Sequence, residues 1–295
     1  MSGIDFKIGT TVYLATNTHK YKFLVGEVSA SQTFSESRQT TQTLQKRTLM
    51  DKTFTTEKSP VSLNFSIYLA AAEPEKALAN WFGLPHDFDT THKIPTFIAL
   101  DATPNAATVY IVSATGTIYK VSDAVGENLS LTITQKEILA ANITAVGSDL
   151  QDVTDIAEEM TIFNNLTQVS QTSSGFINSS VVVEGFNNVL GVTVELTRGI
   201  KWGTQKSVFD IGSIFKVSRP LIDTMTISGT ITQLKLNNNN TTFSQDASIE
   251  IAYGPSFNIK LGNCSTTERF DLGDYHRIAT DYVLLPSSVN STLKF

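Results

Sequence analysis

Seven residues, His86-Asp87-Phe88-Asp89-Thr90-Thr91-His92, carry the imidazole and carboxylate groups that a bound metal would require. Such ligands must converge on one point. Here they run along one short stretch with no third, distant partner, so the segment reads as a polar surface loop. Asp271-Leu272-Gly273-Asp274-Tyr275-His276-Arg277 mixes acid, imidazole and guanidinium and reads as a turn with local ion pairs. Cys264 is the one cysteine, which excludes an internal disulfide and a cysteine zinc site and leaves a buried thiol. No Gly-Xaa-Ser-Xaa-Gly elbow, phosphate loop or dinucleotide fingerprint occurs, and four histidines leave few groups for acid–base work. The chain is expected not to be an enzyme, with no catalytic, cofactor-binding or metal residues and no cofactor.

The charged groups offer a different chemistry. Arg38 with Lys46 and Arg47, and Arg198 with Lys201 and Lys206, form two basic clusters in a chain of net charge -6. Trp202 is the only aromatic interleaved with them, and an acidic chain repels phosphate, so a general grip on nucleic acid is not expected. Basic arms of this kind suit docking on acidic surfaces of neighbouring copies, which steers encounter and fixes register. No run of about 18 apolar residues is present, so no membrane segment is expected. The first residues lack the apolar core of a secretory signal, which implies synthesis and folding in a cytoplasm.

The elements that must carry these arms read as mainly β. Ser and Thr are abundant, and Thr favours half-buried strands. Residues 10–15 and 20–26 read as a strand pair, followed by a long polar arm over residues 35–58 that projects as a loop or hairpin. After Pro60, Val61, Leu63, Phe65 and Ile67 alternate with Ser62, Asn64 and Ser66, which is the period of a strand with one buried face. Residues 73–83 read as a short helix, with Pro74 at its first turn, Ala77, Leu78, Trp81 and Phe82 on its buried face, and Gly83 at its end. Strands resume over residues 96–100, 108–112, 117–121 and 128–133.

The second half echoes the first at a constant offset. Thr33, Arg38, Gln45, Pro60 and Ile67 match Thr193, Arg198, Gln205, Pro220 and Ile227, each 160 residues on (193 − 33 = 227 − 67 = 160). The unit exceeds the roughly 20–50 residues of a solenoid repeat, so two tandem domains are the reading. The expected division is a first module at 1–147, an acidic linker at 148–172 and a second module at 173–295. Asn237-Asn238-Asn239-Asn240 stands where the first half has its helix, so the halves differ in decoration.

This order of features resembles the phage tail tube module: a strand pair, a long polar arm ending in the strand at 61–67, a helix with Ala77, Leu78 and Trp81, then further strands. The duplication resembles the double-domain tail tube protein of long non-contractile phage tails. The resemblance implies two β-sandwich modules whose strands contribute to a ring-wide inner β-barrel. It implies trimeric, pseudo-hexameric rings stacked into a hollow tube through which DNA leaves the capsid. Arg38, Gln45, Lys46, Arg47, Arg198, Gln205 and Lys206 are then expected on stacking arms between rings. Ser62, Asn64, Ser66, Ile222, Thr224 and Thr226 are expected on the inner strands as an uncharged lining without phosphate grip. The implied partners are further copies of the chain, a tape-measure protein, tail-tip and terminator proteins, and DNA in passage. The implied location is the phage tail. Two rival readings are a low-copy tail-tip, baseplate or tube-initiator protein of the same fold, and a two-domain β-sandwich binding module for carbohydrate or adhesion.

Overall fold

The structure is a computed structural model, which describes residues 2–5, 9–43, 46–70, 73–83, 92–93, 105–172, 175–202, 220–234, 247–254, 257–271, 277–285 and 292–294. The elements of the first half are β1 (Ser2–Asp5), β2 (Thr11–Ala15), β3 (His19–Phe23), β4 (Val25–Gln32), β5 (Phe34–Thr43), β6 (Lys46–Lys58), β7 (Val61–Tyr68), α1 (Glu73–Trp81), β8 (His92–Lys93), β9 (Ala107–Val112), β10 (Ile118–Thr134), β11 (Ala140–Gly147), β12 (Asp149–Asp152), α2 (Ala157–Asn165) and β13 (Thr167–Ser170). Those of the second are β14 (Val181–Val183), β15 (Val189–Trp202), β16 (Pro220–Leu234), β17 (Ala247–Tyr253), β18 (Phe257–Asp271), β19 (Arg277–Leu284) and β20 (Thr292–Lys294). The fold is mainly β, with two short helices among the described residues.

One antiparallel sheet runs through both halves in the order β4, β7, β11, β10, β15, β16, β19, β18. Alternation sets its faces. On β7, Val61, Leu63, Phe65 and Ile67 are buried while Ser62 and Asn64 are exposed. The buried face is covered by a second layer. In the first half this is β13, β3, β2, β9, the beginning of β10, and β12. In the second half it is β14, β17, the beginning of β18, and β20. β10 and β18 therefore each serve both layers, their early residues in one and their later residues in the other. The core between the layers is one continuous apolar cluster, from Val12, Phe23 and Ile111 to Ile251, Phe257 and Tyr282.

The pairing order β4–β7–β11–β10 recurs as β15–β16–β19–β18, and the registers fix how the two sets correspond. Tyr119 pairs with Asp152 as Asn258 pairs with Lys294, and the hairpin pair Thr132↔Ala140 recurs as Asp271↔Arg277. Both place β18 at β10 plus 139 (258 − 119 = 271 − 132) and β19 at β11 plus 137 (277 − 140). Carried across the sheet, Ser66↔Asn142 corresponds to Thr232↔Ala279, and Ala30↔Leu63 to Val194↔Gly229. The offset is thus 166 for β7 to β16 (232 − 66) and 164 for β4 to β15 (194 − 30), which corrects the 160 read from the sequence.

The expected acidic linker at 148–172 is also corrected. Its residues are built into the first half: β12 pairs with β10, β13 pairs parallel with β3, and α2 lies between them. Phe163 of α2 packs edge-on against Tyr13 and Tyr110 at 5.4 and 4.9 Å between ring centres, covering the outer face of the second layer. Lys20 Nζ donates to the Phe163 carbonyl at 2.8 Å, and Lys120 pairs with Glu159 at 2.7 Å. The first helix is where the sequence puts it. Leu78, Trp81 and Phe82 enter the core, Trp81 Nε1 donates to the Ala124 carbonyl at 2.8 Å, and Gly83, at φ +71°, stops the helix in a conformation that L side chains avoid.

Candidate functional site

Three features of this architecture can meet other molecules: the solvent face of the eight-stranded sheet, the hairpin that leaves it, and the two sheet edges. The solvent face is made by the residues that alternate with the core. β7 contributes Ser62, Asn64 and Ser66; β11 contributes Asn142 and Thr144; β10 and β15 contribute Asn128, Ser130, Thr193 and Thr197. Ser66 Oγ accepts from the Glu27 backbone N–H at 3.0 Å, and Asn128 Nδ2 donates to Thr197 Oγ1 at 2.9 Å across the junction of the halves. Charges on this face among the described residues include Glu195, exposed between Thr193 and Thr197, and the pair Arg269 and Asp281. Arg269 is held by Asp281 at 2.7 Å, and Thr230 Oγ1 donates to the same carboxylate at 2.7 Å. Those two bonds, Arg269 first, hold the Asp281 carboxyl below its ordinary range.

Thr224 and Thr226 are exposed on β16, but Ile222 is buried at 6% exposure. The reason is a register shift between Gly199 and Ile200: Gly199 pairs with Thr224 and Ile200 with Ile222, so one residue of β16 is skipped and the faces exchange. By the offset of 166, the counterparts of Ser62, Asn64 and Ser66 are Ser228, Thr230 and Thr232. These three were missed. The error is four to six residues and even, and an even slip keeps every side chain on its face, so alternation alone could not reveal it.

The polar arm is a hairpin of its own, β5 against β6, paired from Phe34↔Lys58 to Thr43↔Lys46 and separate from the main sheet. Arg38 stands opposite Thr53 and Lys46 opposite Thr43, and Arg47 follows on β6. Gln45, Gln205 and Lys206 lie outside the described residues.

Arg198 is a correction. It is 1% exposed in the core at the join of the halves, not on an exposed arm. Its Nη1 donates to the Trp81 carbonyl at 3.1 Å, its guanidinium carbon lies 5.9 Å from the centre of the Phe82 ring, and its Nε has no hydrogen-bond partner among the described residues. Burial disfavours the charged form and lowers its pKa to about 10. The residue ties β15 to the end of α1, so it serves cohesion of the chain.

These features describe a mainly β protein with a sheet face rich in hydroxyl and amide groups and a long arm. Comparison with known families bears on what it assembles into: residues 18–295 match the model described as the Bacteriophage Baseplate Tube Protein Family. The chain belongs to this family. The match covers nearly the whole sequence, so the baseplate tube family accounts for both halves and the arm together. This baseplate tube protein is therefore a structural component of the phage virion. No curated protein is similar enough to it to count as a match.

Proposed function

We propose that the chain builds the wall of a hollow phage tube, three copies to a ring, each copy supplying two like modules. The observation that carries this reading is the β10–β15 ladder, seven pairs from Asn128↔Thr197 to Thr134↔Gly191, which joins two corresponding four-stranded sheets edge to edge within one chain. If neighbouring chains join as the halves do, the sheet continues around a ring and its open edges disappear. The modules are residues 2–172 and 175–294, with β12 and α2 counted to the first.

The solvent face of the sheet is the lining in this reading, because the other face is filled by the core. Ser62, Asn64, Ser66, Ser228, Thr230 and Thr232 then face the channel. Hydroxyl and amide groups with few free cations offer no row of charge to hold phosphates, so DNA passes without being gripped. In this reading the chain sits at the baseplate end of the tube, a place in keeping with the family description. Tape-measure, tail-tip and terminator proteins are the further partners this position implies. The β5–β6 hairpin is the contact between successive rings.

Negative-stain electron microscopy of the purified chain and of a variant lacking residues 40–48 tests both parts. The chain is expected to give rings and stacks of rings with a central channel, and the variant rings that do not stack. Monomers alone at high concentration would refute the tube reading, and normal stacking by the variant would remove the hairpin from the contact.

A further inference from the structure

The two halves are joined at a second place besides the β10–β15 ladder: the turn between β10 and β11 is set into the start of the second half. Gln135 Nε2 donates to the carbonyls of Val181 and Val189 at 2.9 Å each. The backbone N–H groups of Gln135 and Lys136 donate to the carbonyls of Leu190 and Ser179 at 3.3 and 3.0 Å. Tyr253 of β17 adds its hydroxyl, which lies within hydrogen-bond distance of the Thr134 and Glu137 carbonyls. The seat of this turn is therefore the start of β14 together with the start of β15.

The first half has the same seat. By the offset of 164, Val189 and Leu190 correspond to Val25 and Gly26, and both strands carry a register shift at this point, between Val189 and Gly191 and between Val25 and Val28. β2 stands to β9 as β14 stands to β17, so the start of β14 corresponds to the start of β2. These two starts border one cavity of about 620 Å³, whose lining includes Gly9, Thr10, Val25, Gly26, Glu27 and Val28. The position that holds a turn in one half is a cavity in the other.

On the reading that copies close into rings, we propose that this cavity is a socket for the β18–β19 end of a second copy. β18 and β19 are the counterparts of β10 and β11, and their closing pair Asp271↔Arg277 is the counterpart of Thr132↔Ala140. The connection after Asp271, Leu272-Gly273-Asp274-Tyr275-His276, lies outside the described residues; by composition it brings a phenol and an imidazole that can donate to strand-end carbonyls, as Gln135 does. The chain's own hairpin does not reach its own socket. β18 is seven strands from β4, about 34 Å along the sheet at roughly 4.8 Å per strand, and five residues span at most about 17 Å. The contact falls on residues 25–28, ahead of the stretch 29–32 that pairs with β1.

Two complementary variants test the socket. Glu27 is exposed in the lining and corresponds to Gly191 (191 − 164 = 27), the residue that pairs with Thr134. Glu27→Trp fills the socket and keeps the hairpin. Replacing residues 272–276 by Asn-Gly, which closes a hairpin between directly paired residues, removes the tip and keeps the socket. Each variant alone is expected to lose ring formation while keeping the thermal midpoint of the parent. Mixed in equal amounts, they are expected to give a one-to-one pair of about 64 kDa (2 × 32.2) by native mass measurement, because the open socket of one accepts the intact hairpin of the other. Glu27→Ala leaves the socket open and is expected to form rings as the parent does.

Rings formed by Glu27→Trp as readily as by the parent, or a mixture that stays monomeric while the parent forms rings, would overturn the socket and leave the tube reading in place. A parent and a mixture that both stay monomeric would overturn both. A one-to-one pair from the mixture, beside parent rings of a copy number other than three, would support the socket and refute the three-chain reading.

Discussion

Alanine at Gly229 is expected to be the most damaging single substitution in the eight-stranded sheet, lowering stability by about 3 kcal/mol or more, the upper part of the range for overpacked cores. Gly229 lies on the core row of β16, opposite Val194 on one side and Tyr282 on the other. A Cβ there overlaps the Thr193 carbonyl oxygen and the hydroxyl of Tyr282, and meets the ring carbon Cζ at 2.7 Å. None of these can step aside. The carbonyl is backbone, and Tyr282 is 1% exposed with its hydroxyl donating to that same carbonyl at 2.8 Å. The first half shows how the space is shared: its corresponding pair is Leu63↔Ala145, large on one strand and small on the next, where the second half has Gly229↔Tyr282. Thermal unfolding of Gly229→Ala is expected to fall by at least about 6 °C, taking about 2 °C or more per kcal/mol for a chain of this size. A midpoint within about 2 °C of the parent would show that the ring and carbonyl yield.

Removing the Arg198 side chain is the second large effect. Arg198→Ala leaves the Trp81 carbonyl without its donor and opens a cavity where α1 meets β15, an expected loss of about 3–5 kcal/mol. Arg198→Met keeps most of the volume and removes a buried cation, so it is expected to cost about 1–2 kcal/mol. pH separates cohesion from charge. The folded-state pKa is about 10, below the value of a free guanidinium. Between those values the unfolded chain holds a proton that the folded chain has released, so stability from this group rises with pH across the window. Below about pH 10 the burial penalty is present in full. Chemical denaturation of the parent relative to Arg198→Met should therefore show the parent gaining from pH 10 to 12. A constant difference over that range would mean that the guanidinium is not desolvated as its burial implies.

How much of this was legible in the sequence depends on which physical signal each element carries. β7 was plain because Val61, Leu63, Phe65 and Ile67 alternate with small polar residues. Helix α1 was plain because Pro74 and Gly83 mark its limits. The duplication was visible but slipped. Strands of alternating Ser, Thr and branched residues look alike at any even offset, and the exchange of Leu63 for Gly229 removes the similarity at the true one.

Arg198 misled for a related reason. A cation in a polar run reads as solvated, and its burial depends on Trp81 and Phe82, more than a hundred residues earlier in the chain. The segment with α2 read as a linker because its acids dominate. Its buried apolar anchors, Val153 and Phe163, join Tyr13 and Tyr110 only once β2 and β9 are paired. Local patterns fix local elements, while these contacts join segments that the topology alone brings together.

The central claim is that one chain supplies two modules to a ring. Native mass measurement of the smallest closed ring tests it most directly. Each chain has a mass of 32.2 kDa, so a three-chain ring is expected at about 97 kDa (3 × 32.2), with no closed species of higher copy number. A closed ring of six chains, about 193 kDa (6 × 32.2), would show that the two halves of one chain do not substitute for two subunits and would contradict the account.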